Sequence, residues 1–413
     1  MNFLNLPRVL LVSELSLSKS QQGKSANPTL YNLFKSYPPE LILQFIPKST
    51  EKLSPPIALH QEAISYADSF IPTMRNRIGL ITNRWSDFLN LSILSALQLP
   101  HTERIKRFSP EILLICPITL SGLIVGYKTA REFNLPFLIY FMDDWIATNH
   151  SAWIGGNVES ISYYLLKESE GWIMISNYLQ EELSKRFNIN GKPFVVAHNP
   201  INAFISTQII CSDSANDSEE KFRVAYAGSI QSMHADALLA IAEAIYHLRK
   251  EGISIELIVY TAPGFWEAYQ KSLTSFEVEY GSLIPYDQLL STLSKSHLLL
   301  VCTSFLPENQ HVVRSSLLTK LTDYMATGKP ILSCGPIYSA CNRFLEKWDC
   351  GLICSTQSIS EIKHILTKCM TETKVLCEMT SKASNVLEEN FSEKVMTQKF
   401  YKFIMQMYVQ SSH

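Results

Sequence analysis

The sequence lacks any hydrophobic run long enough to cross a membrane, because a spanning helix needs about 20 consecutive apolar residues. Its apolar runs, such as residues 112–116 and 298–302, have the length of a strand and are bounded by polar residues or proline. The run after Arg8, V-L-L-V, is far too short for a secretory signal. We therefore predict a first strand at residues 9–12 and no transmembrane helix.

An excess of charge of one sign is also missing, as are paired cysteines of the zinc-binding type. The 36 Lys and Arg side chains nearly balance 38 Asp and Glu, and a net charge of -2 gives no general attraction for nucleic acid. The nine cysteines contain no C-x-x-C pair, and the nearest spacing, Cys350 with Cys354, has no second pair beside it. These absences predict a cytoplasmic protein with reduced thiols, no bound metal and no nucleic-acid partner.

The length and rhythm of the sequence indicate two α/β domains. A chain of 413 residues exceeds one ordinary core, and short apolar runs alternate with amphipathic stretches. A polar cluster within residues 206–220 is typical of an exposed linker. We place the first domain at residues 1–205 and the second at residues 221–390. The predicted strands are Val9–Val12, Leu41–Phe45, Ile78–Ile81, Ile112–Cys116, Phe137–Phe141, Gly171–Ile175, Phe194–Ala197, Phe222–Ala227, Ile255–Tyr260, Glu277–Tyr280, Leu298–Cys302, Ile331–Cys334 and Gly351–Cys354.

One segment of the second domain, R-S-S-L-L-T-K-L-T-D-Y-M-A-T-G-K-P-I-L, has the strongest functional pattern. It predicts a helix that begins at Ser315 or Ser316, with a capping side chain, and ends before a left-handed Gly328. The start of a helix carries unpaired N–H donors and partial positive charge, so it can bind a diphosphate, and Lys320 adds a full charge. Asp323, one turn later, can reach ribose hydroxyls. An ordinary surface helix with a cap and a solvated face is the alternative.

The part L-T-K-L-T-D-Y-M-A-T-G-K-P-I-L resembles the nucleotide-sugar segment of glycosyltransferases with the two-domain GT-B fold, especially family 4. The resemblance implies two Rossmann-like, doubly wound α/β domains facing each other across a cleft, with residues 391–413 packing back on the first. It also implies that Asp323 holds the donor ribose, while the backbone amides of Leu318, Thr319 and Lys320 hold the diphosphate.

Two departures from the family pattern concern the donor site. Family members commonly carry two glutamates separated by seven residues, and here Ser315 and Asp323 stand at those positions. The turn at Gly228 and Ser229, which can approach a phosphate, lacks the Arg and Lys that often follow this glycine in the family. Arg314 can substitute for them if its loop folds inward. A plain strand-end turn is the alternative for Gly228.

A second loop is predicted to hold the nucleobase, as the corresponding loop does in similar proteins. Gly281 to Ile284 lie between a predicted strand and a predicted helix. Backbone N–H and C=O groups of such a loop can pair with a base edge, while Leu283 or Ile284 covers the face of the base. Ordinary loop packing is the alternative.

Two adjacent carboxylates, Asp143 and Asp144, follow the apolar strand F-L-I-Y-F. The carboxyl ends of parallel strands collect ligand contacts, and neighbouring acids there can have different pKa values, as a proton acceptor for a sugar hydroxyl requires. We predict a catalytic role for at least one of them, with His150 as the other candidate. Alternatively, Asp143 only caps the next helix.

A basic window between residues 71 and 110 suggests peripheral contact with an anionic membrane. Trp85, Phe88 and the apolar run Leu89 to Leu99 lie between two basic clusters, which suits an interfacial helix near a lipid-linked acceptor. A helix packed within the domain is the alternative. The basic residues are Arg75, Arg77, Arg84, Arg104, Lys106 and Arg107.

Together these patterns predict a metal-independent glycosyltransferase that needs no cofactor. It would move a sugar from a nucleotide-sugar donor to a saccharide or lipid-linked acceptor. Two alternatives stay open: a nucleotide-sugar epimerase on the same fold, and a catalytically silent protein that only binds nucleotides. The replaced glutamate and the absent cations favour the silent protein.

Overall fold

A computed structural model gives the fold, and it describes residues 6–15, 17, 28–48, 63–67, 92–148, 155–201 and 221–411. Several predicted features lie outside these residues: strand Ile78–Ile81, linker 206–220, His150, Arg75, Arg77 and Arg84. The chain divides into two compact units. The first unit comprises Met1–Pro200 with Met396–His413, and the second unit comprises Ile201–Val395.

The first unit contains a parallel sheet of seven strands within the described residues. They are β1 (Val9–Ser13), β2 (Ile42–Pro47), β3 (Ala63–Tyr66), β4 (Ile112–Cys116), β5 (Phe137–Phe141), β6 (Gly171–Met174) and β7 (Phe194–Val196). Their spatial order is β3-β2-β1-β4-β5-β6-β7, and each neighbouring pair is parallel. The central strands β1, β4 and β5 are buried along their whole length, which explains their unbroken apolar sequences.

The edge strand β3 is absent from the predicted strands. It has only four residues, and only Ile64 and Tyr66 face the core in an otherwise polar stretch. The part of this unit that the structure describes before residue 200 contains the helices α1 (Pro28–Phe34), α2 (Thr102–Phe108), α3 (Leu120–Glu132), α4 (Trp145–Thr148), α5 (Gly155–Glu168) and α6 (Asn177–Phe187). Residues 92–96 form a further helical segment.

The described residues of the second unit, 201 and 221–395, repeat this architecture with six strands in the order β10-β9-β8-β11-β12-β13, all parallel. The strands are β8 (Phe222–Ala227), β9 (Ile255–Tyr260), β10 (Glu279–Tyr280), β11 (Leu298–Cys302), β12 (Ile331–Cys334) and β13 (Leu352–Cys354). Four of them, β8, β9, β11 and β12, begin and end where predicted. β10 is shorter than predicted because Glu277 has a left-handed φ of 56°, which a strand does not allow.

The helices of the second unit lie between and after these strands. They are α7 (Ser232–Lys250), α8 (Pro263–Ser275), α9 (Tyr286–Leu293), α10 (Gln310–Ser315), α11 (Thr319–Met325), α12 (Ala340–Trp348), α13 (Ile359–Thr371) and α14 (Thr373–Phe391). Gly228 and Gly328 have positive φ angles of 130° and 66°. The positive φ of Gly328 agrees with its predicted left-handed conformation, but α11 already ends at Met325, with Ala326 as its C-cap.

The last helix, α15 (Glu393–Ser411), supplies residues 396–411 to the first unit. The Tyr401 hydroxyl donates to the Leu33 carbonyl at 2.8 Å, and the Phe400 ring packs edge-on against Phe34 with centroids 5.2 Å apart. All four residues are buried, so this helix is part of the core of the first unit. α1 and α15 therefore stabilise each other although they lie at opposite ends of the chain.

The described residues include no helix that is long and apolar enough to span a membrane. They also include no group of three or more His, Cys, Asp or Glu side chains that could hold a metal ion. Seven cysteines are buried free thiols: Cys116, Cys302, Cys334, Cys341, Cys350, Cys354 and Cys369. Cys377 is disulfide-bonded, so the prediction that every cysteine is reduced is wrong for this residue.

Candidate functional site

The candidate site lies where the turn after β8 meets the start of α11. Gly228 directly follows β8 and has a φ of 130°, and a Cβ atom added there would lie 3.0 Å from Nζ of Lys320. Only glycine adopts this φ without strain and leaves room for the lysine head. The Gly228 N–H already donates to the Tyr260 carbonyl at 2.9 Å, so this glycine offers space and not a donor. The predicted residues Gly228 and Lys320 are therefore neighbours.

Two tyrosine hydroxyls join α11 to the end of β8. Lys320 Nζ donates to the Tyr226 hydroxyl at 2.9 Å, and that hydroxyl donates to the Ser229 carbonyl at 2.6 Å. The Tyr324 hydroxyl accepts from the Ala227 N–H at 2.8 Å and lies 3.2 Å from the Ala227 carbonyl oxygen. Both tyrosine side chains are fully buried. These bonds fix the helix against the strand end at two successive turns.

The helix that carries Lys320 begins later than predicted. α10 ends at Ser315, whose hydroxyl donates to the His311 carbonyl at 2.9 Å, and Ser316 is extended. α11 then begins at Thr319, after Leu318, without a side-chain cap. The prediction that Ser315 or Ser316 caps this helix is therefore wrong. Ser315 is the last residue of α10, and its hydroxyl bonds to a carbonyl four residues earlier in that helix. It therefore does not bond forward to the first turn of α11.

Backbone N–H groups near Lys320 differ in what they contact. The Leu318 N–H donates to the thiol of Cys341, so this amide is already used. Across the described residues, no acceptor is found for the N–H groups of Ser229, Thr319 and Lys320. Of the three amides that the resemblance assigns to the diphosphate, two are thus available to a ligand, and Ser229 adds another.

The electrostatics of the site favour an anion. Burial lowers the pKa of Lys320 to about 8, and its charge meets no carboxylate at ion-pair distance in the described ranges. His234 on α7 is neutral, because burial and the charge of Lys320 lower its pKa to about 3. The neighbouring thiols, Cys302 and Cys341, are also neutral, since burial raises the pKa of each. A half-buried cation without a counter-ion is stabilised when an anion binds.

Asp323 lies one turn after Lys320 on α11 and is only 7% exposed. Burial raises the pKa of Asp323 to about 7. The Tyr286 hydroxyl donates to Oδ1 at 3.2 Å, and no other described residue bonds to this carboxyl group. Its second oxygen is therefore available to a hydroxyl donor, as contact with a ribose requires.

The predicted nucleobase loop connects β10 to α9. A Cβ atom added at Gly281 would lie 2.4 Å from the Tyr260 ring, so this glycine lets the loop pack closely against β9. Ser282 has a left-handed φ of 64°, which turns the chain sharply. Leu283 is 49% exposed, and Ile284 is half-buried. The loop thus presents an apolar side chain at its surface, and its contact with a base stays a prediction.

Arg314 has its own contacts on α10. Its guanidinium group lies 4.6 Å from the centroid of the Tyr338 ring, a cation–π contact. With the Gln310 amide turned so that its oxygen faces the guanidinium, this oxygen accepts a 3.0 Å hydrogen bond from Arg314. No contact in the described chain joins Arg314 to the Gly228 turn, so its role as a substitute phosphate ligand stays a prediction.

The two predicted carboxylates of the first unit have different surroundings. Asp144 is buried, and its carboxylate forms a bidentate pair with Arg186, including a bond of 2.9 Å. The same carboxylate accepts from the Ala147 N–H at 3.3 Å, at the start of α4. A proton acceptor needs an oxygen that its substrate can reach, so this geometry favours a structural role for Asp144. Asp143 is exposed, and His150 lies outside the described residues.

We expect Arg186→Met to lower the free energy of unfolding by about 3–5 kcal/mol, because it leaves the buried Asp144 carboxylate without its cationic partner. Urea unfolding without nucleotide measures this change. In the double variant with Asp144→Asn, which removes the charge and keeps an oxygen for α4, most of the loss should be recovered. A single variant as stable as the unchanged protein would show that the pair contributes little.

Glu14, directly after β1, is a site residue that sequence reasoning missed. Its carboxylate accepts from the N–H groups of Ile118 and Gly122, both at 2.9 Å, and from the Thr119 hydroxyl at 2.7 Å. Burial raises the pKa of Glu14. The amino end of α3 carries N–H donors and partial positive charge that suit an anion, and this side chain occupies it. An acid immediately after the first strand was the signal in the sequence.

No protein-family model matches the chain, and no curated protein matches it. Solved structures do match. Anabaena HepE in complex with UDP gives a TM-score of 0.66 at 12% identity, covering 97% of this chain and 100% of that chain. Sucrose-phosphate synthase from Thermosynechococcus elongatus gives 0.70 at 12% identity, covering 98% and 100%. α,α-Trehalose 6-phosphate synthase from Burkholderia multivorans gives 0.65 at 10% identity, covering 99% and 98%. The fold is GT-B.

In this GT-B chain, Gly228, Lys320 and Asp323 all belong to the second unit. They lie at the carboxyl end of β8 and on the first two turns of α11. This is the edge at which doubly wound sheets bind ligands, because strand ends and helix starts meet there. At 10–12% identity the matches establish the fold, and the activity has to be argued from the site itself.

Proposed function

We propose that this protein is a glycosyltransferase whose second unit binds a nucleoside diphosphate sugar. The observation that carries the proposal is the position of Lys320: a cation without a carboxylate partner among the described residues, whose head lies against Gly228. Asp323 lies one turn away with an available oxygen. A cation followed at this distance by a carboxyl group matches a diphosphate joined to a ribose.

The donor nucleotide in this proposal is UDP. HepE has been solved in complex with UDP and with UDP-glucose, and these structures cover 97–98% of this chain. The uracil would lie at the loop that begins with Gly281, with Leu283 against its face. The first unit would bind the saccharide or lipid-linked acceptor. Glu14 supports this assignment of the donor to the second unit and the acceptor to the first. Its carboxylate already occupies the amino end of α3, where a donor phosphate would otherwise find N–H groups.

In the proposed reaction, the bond between the anomeric carbon and the β-phosphate oxygen breaks, and a bond from that carbon to the acceptor oxygen forms. The departing UDP gains negative charge on the β-phosphate, where Lys320 and the free amides of Thr319 and Ser229 stabilise it. This support replaces the divalent ion that other glycosyltransferases use. The proton of the acceptor hydroxyl passes to a base of the first unit, for which Asp143 is the candidate.

The direct test is a panel of labelled nucleotide sugars, incubated with the protein, membrane extract as a source of acceptors, and EDTA to remove divalent ions. We expect release of UDP from one donor, dependent on the extract and unaffected by EDTA. Binding without release would identify a silent nucleotide-binding protein. Conversion of the donor without release would identify an epimerase. If no nucleotide sugar binds, the proposal fails.

We also propose that the protein works at the cytoplasmic face of a membrane. In the described part of the basic window, Arg104, Lys106 and Arg107 are exposed on α2, where Lys106 also pairs with Glu103 at 3.0 Å. We expect the protein to sediment with anionic vesicles at low salt, more weakly as salt rises, and not with neutral vesicles. The double variant Arg104→Gln, Arg107→Gln should sediment less. No sedimentation at low salt contradicts the proposal.

A further inference from the structure

Tyr226 connects the two parts of the phosphate site through one hydroxyl group. A carbonyl only accepts hydrogen bonds and an ammonium group only donates them, so the directions of both bonds are fixed. The Tyr226 hydroxyl donates a hydrogen bond to the Ser229 carbonyl at 2.6 Å and accepts one from Lys320 Nζ at 2.9 Å. The ammonium group also lies 4.1 Å from the centroid of the Tyr226 ring, a cation–π contact.

This hydroxyl is the hydrogen-bond acceptor that Lys320 finds among the described residues. The groups that face Lys320 come from four elements: Tyr226 on β8, His234 on α7, Cys302 on β11 and Cys341 on α12. On its own helix, Asp323 bonds to Tyr286 and not to the lysine. Burial keeps the imidazole and both thiols neutral at ordinary pH. Tyr226 therefore stabilises the lysine in its charged form.

We propose that Tyr226 is a positioning residue for diphosphate binding: its hydroxyl holds the Lys320 ammonium group over Gly228 and fixes the Ser229 backbone beside it. This inference rests on the proposed function. Through Tyr226, the strand-end turn and the helix cation take a fixed arrangement before a ligand arrives. Pre-organisation of this kind improves binding because the ligand does not have to order the site itself.

The inference has a pH signature. The hydroxyl favours the ammonium form of Lys320, so its loss makes the lysine release its proton at lower pH. In the unchanged protein, UDP affinity should fall as the pH rises through about 8, the pKa to which burial lowers Lys320. Without the hydroxyl, the same fall should occur at lower pH. A residue that only packs in the core would change stability and leave this midpoint in place.

The experiment is a titration of the full chain with UDP across a series of pH values, for the unchanged protein and for Tyr226→Phe. We expect the variant to bind UDP about tenfold more weakly below the midpoint, since one hydrogen bond to a charged group is lost. Its midpoint should move down by about half a unit or more. Tyr324→Phe is the matched control, because it removes a buried hydroxyl from the same strand end but does not touch Lys320.

The outcomes separate this inference from the proposed function. If the unchanged protein does not bind UDP, both fail. If it binds UDP and Tyr226→Phe keeps the midpoint and affinity of Tyr324→Phe, only the role of Tyr226 is overturned. Tyr226→Met, a second replacement without a hydroxyl, serves if the phenylalanine variant does not fold. The variant Lys320→Met shows whether the midpoint of the pH titration belongs to Lys320, because without the lysine UDP affinity should no longer fall at high pH.

Discussion

Replacing Lys320 with methionine is expected to weaken UDP binding by about tenfold or more, since one oriented charge on a phosphate is worth at least about 1.4 kcal/mol. Methionine fills a similar volume without the charge, so the space beside Gly228 that the lysine side chain occupies stays filled. The loss should be large for UDP and small for uridine, which has no phosphate. Calorimetric titration of both ligands measures the two affinities.

Lys295→Met is the matched control for this change. Lys295 is an exposed lysine just before β11, at the amino ends of the strands, whereas the site lies at their carboxyl ends. Its replacement therefore changes the net charge of the protein equally and leaves the site untouched. UDP affinity should stay within about twofold of the unchanged protein, as expected for a distant surface charge in salt. If both methionine variants bind UDP like the unchanged protein, Lys320 does not hold the diphosphate.

Asp323→Asn is expected to reduce UDP affinity by about tenfold and to abolish selectivity for the ribose hydroxyls. A carboxylate can accept from two neighbouring hydroxyls at once, whereas an asparagine amide presents one acceptor and one donor group. The unchanged protein should prefer UDP to its 2′,3′-dideoxy form, and the variant should bind the two forms alike. A variant that keeps the preference would place the ribose elsewhere.

The same substitution has a second expected effect, on stability without nucleotide. Burial raises the pKa of Asp323 from 3.8 to about 7, so the folded protein holds a proton that the unfolded chain has lost. Folding stability therefore falls as pH rises between these two values and levels off above about 7. Asparagine does not ionise, so the variant does not lose stability in this way. The melting temperature of Asp323→Asn minus that of the unchanged protein should therefore increase as the pH is raised from about 4 to about 7. A difference that does not change with pH would contradict the burial of this charge.

The fold was predictable because parallel strands covered on both faces have unbroken apolar sequences. Strands β4, β5 and β11, which are apolar and buried along their whole length, consequently have the predicted bounds. The edge strand β3 was not predictable, because only two of its four residues are buried, which leaves a weak pattern. Whether Ser315 bonds forward or back is also absent from the sequence, since a serine suits either role.

The candidate site was predictable only in part. Lys320 and Asp323 follow from their places on one helix, because local spacing determines which residues share a face. The bonds that position them depend on the fold. Tyr226 lies 94 positions before Lys320, and Tyr324 lies 97 positions after Ala227. The sequence shows no such pairing until the strands are arranged, and the same holds for Arg186, which lies 42 positions after Asp144.

The central claim is that the turn after β8 and the start of α11 hold a pyrophosphate. A crystal structure of the protein with UDP tests it most directly. We predict density for two phosphate groups beside Gly228, with a phosphate oxygen within hydrogen-bond distance of Lys320 Nζ and the ribose hydroxyls at Asp323. UDP bound in another part of the molecule, with Lys320 still bonded to Tyr226 alone, would contradict the account.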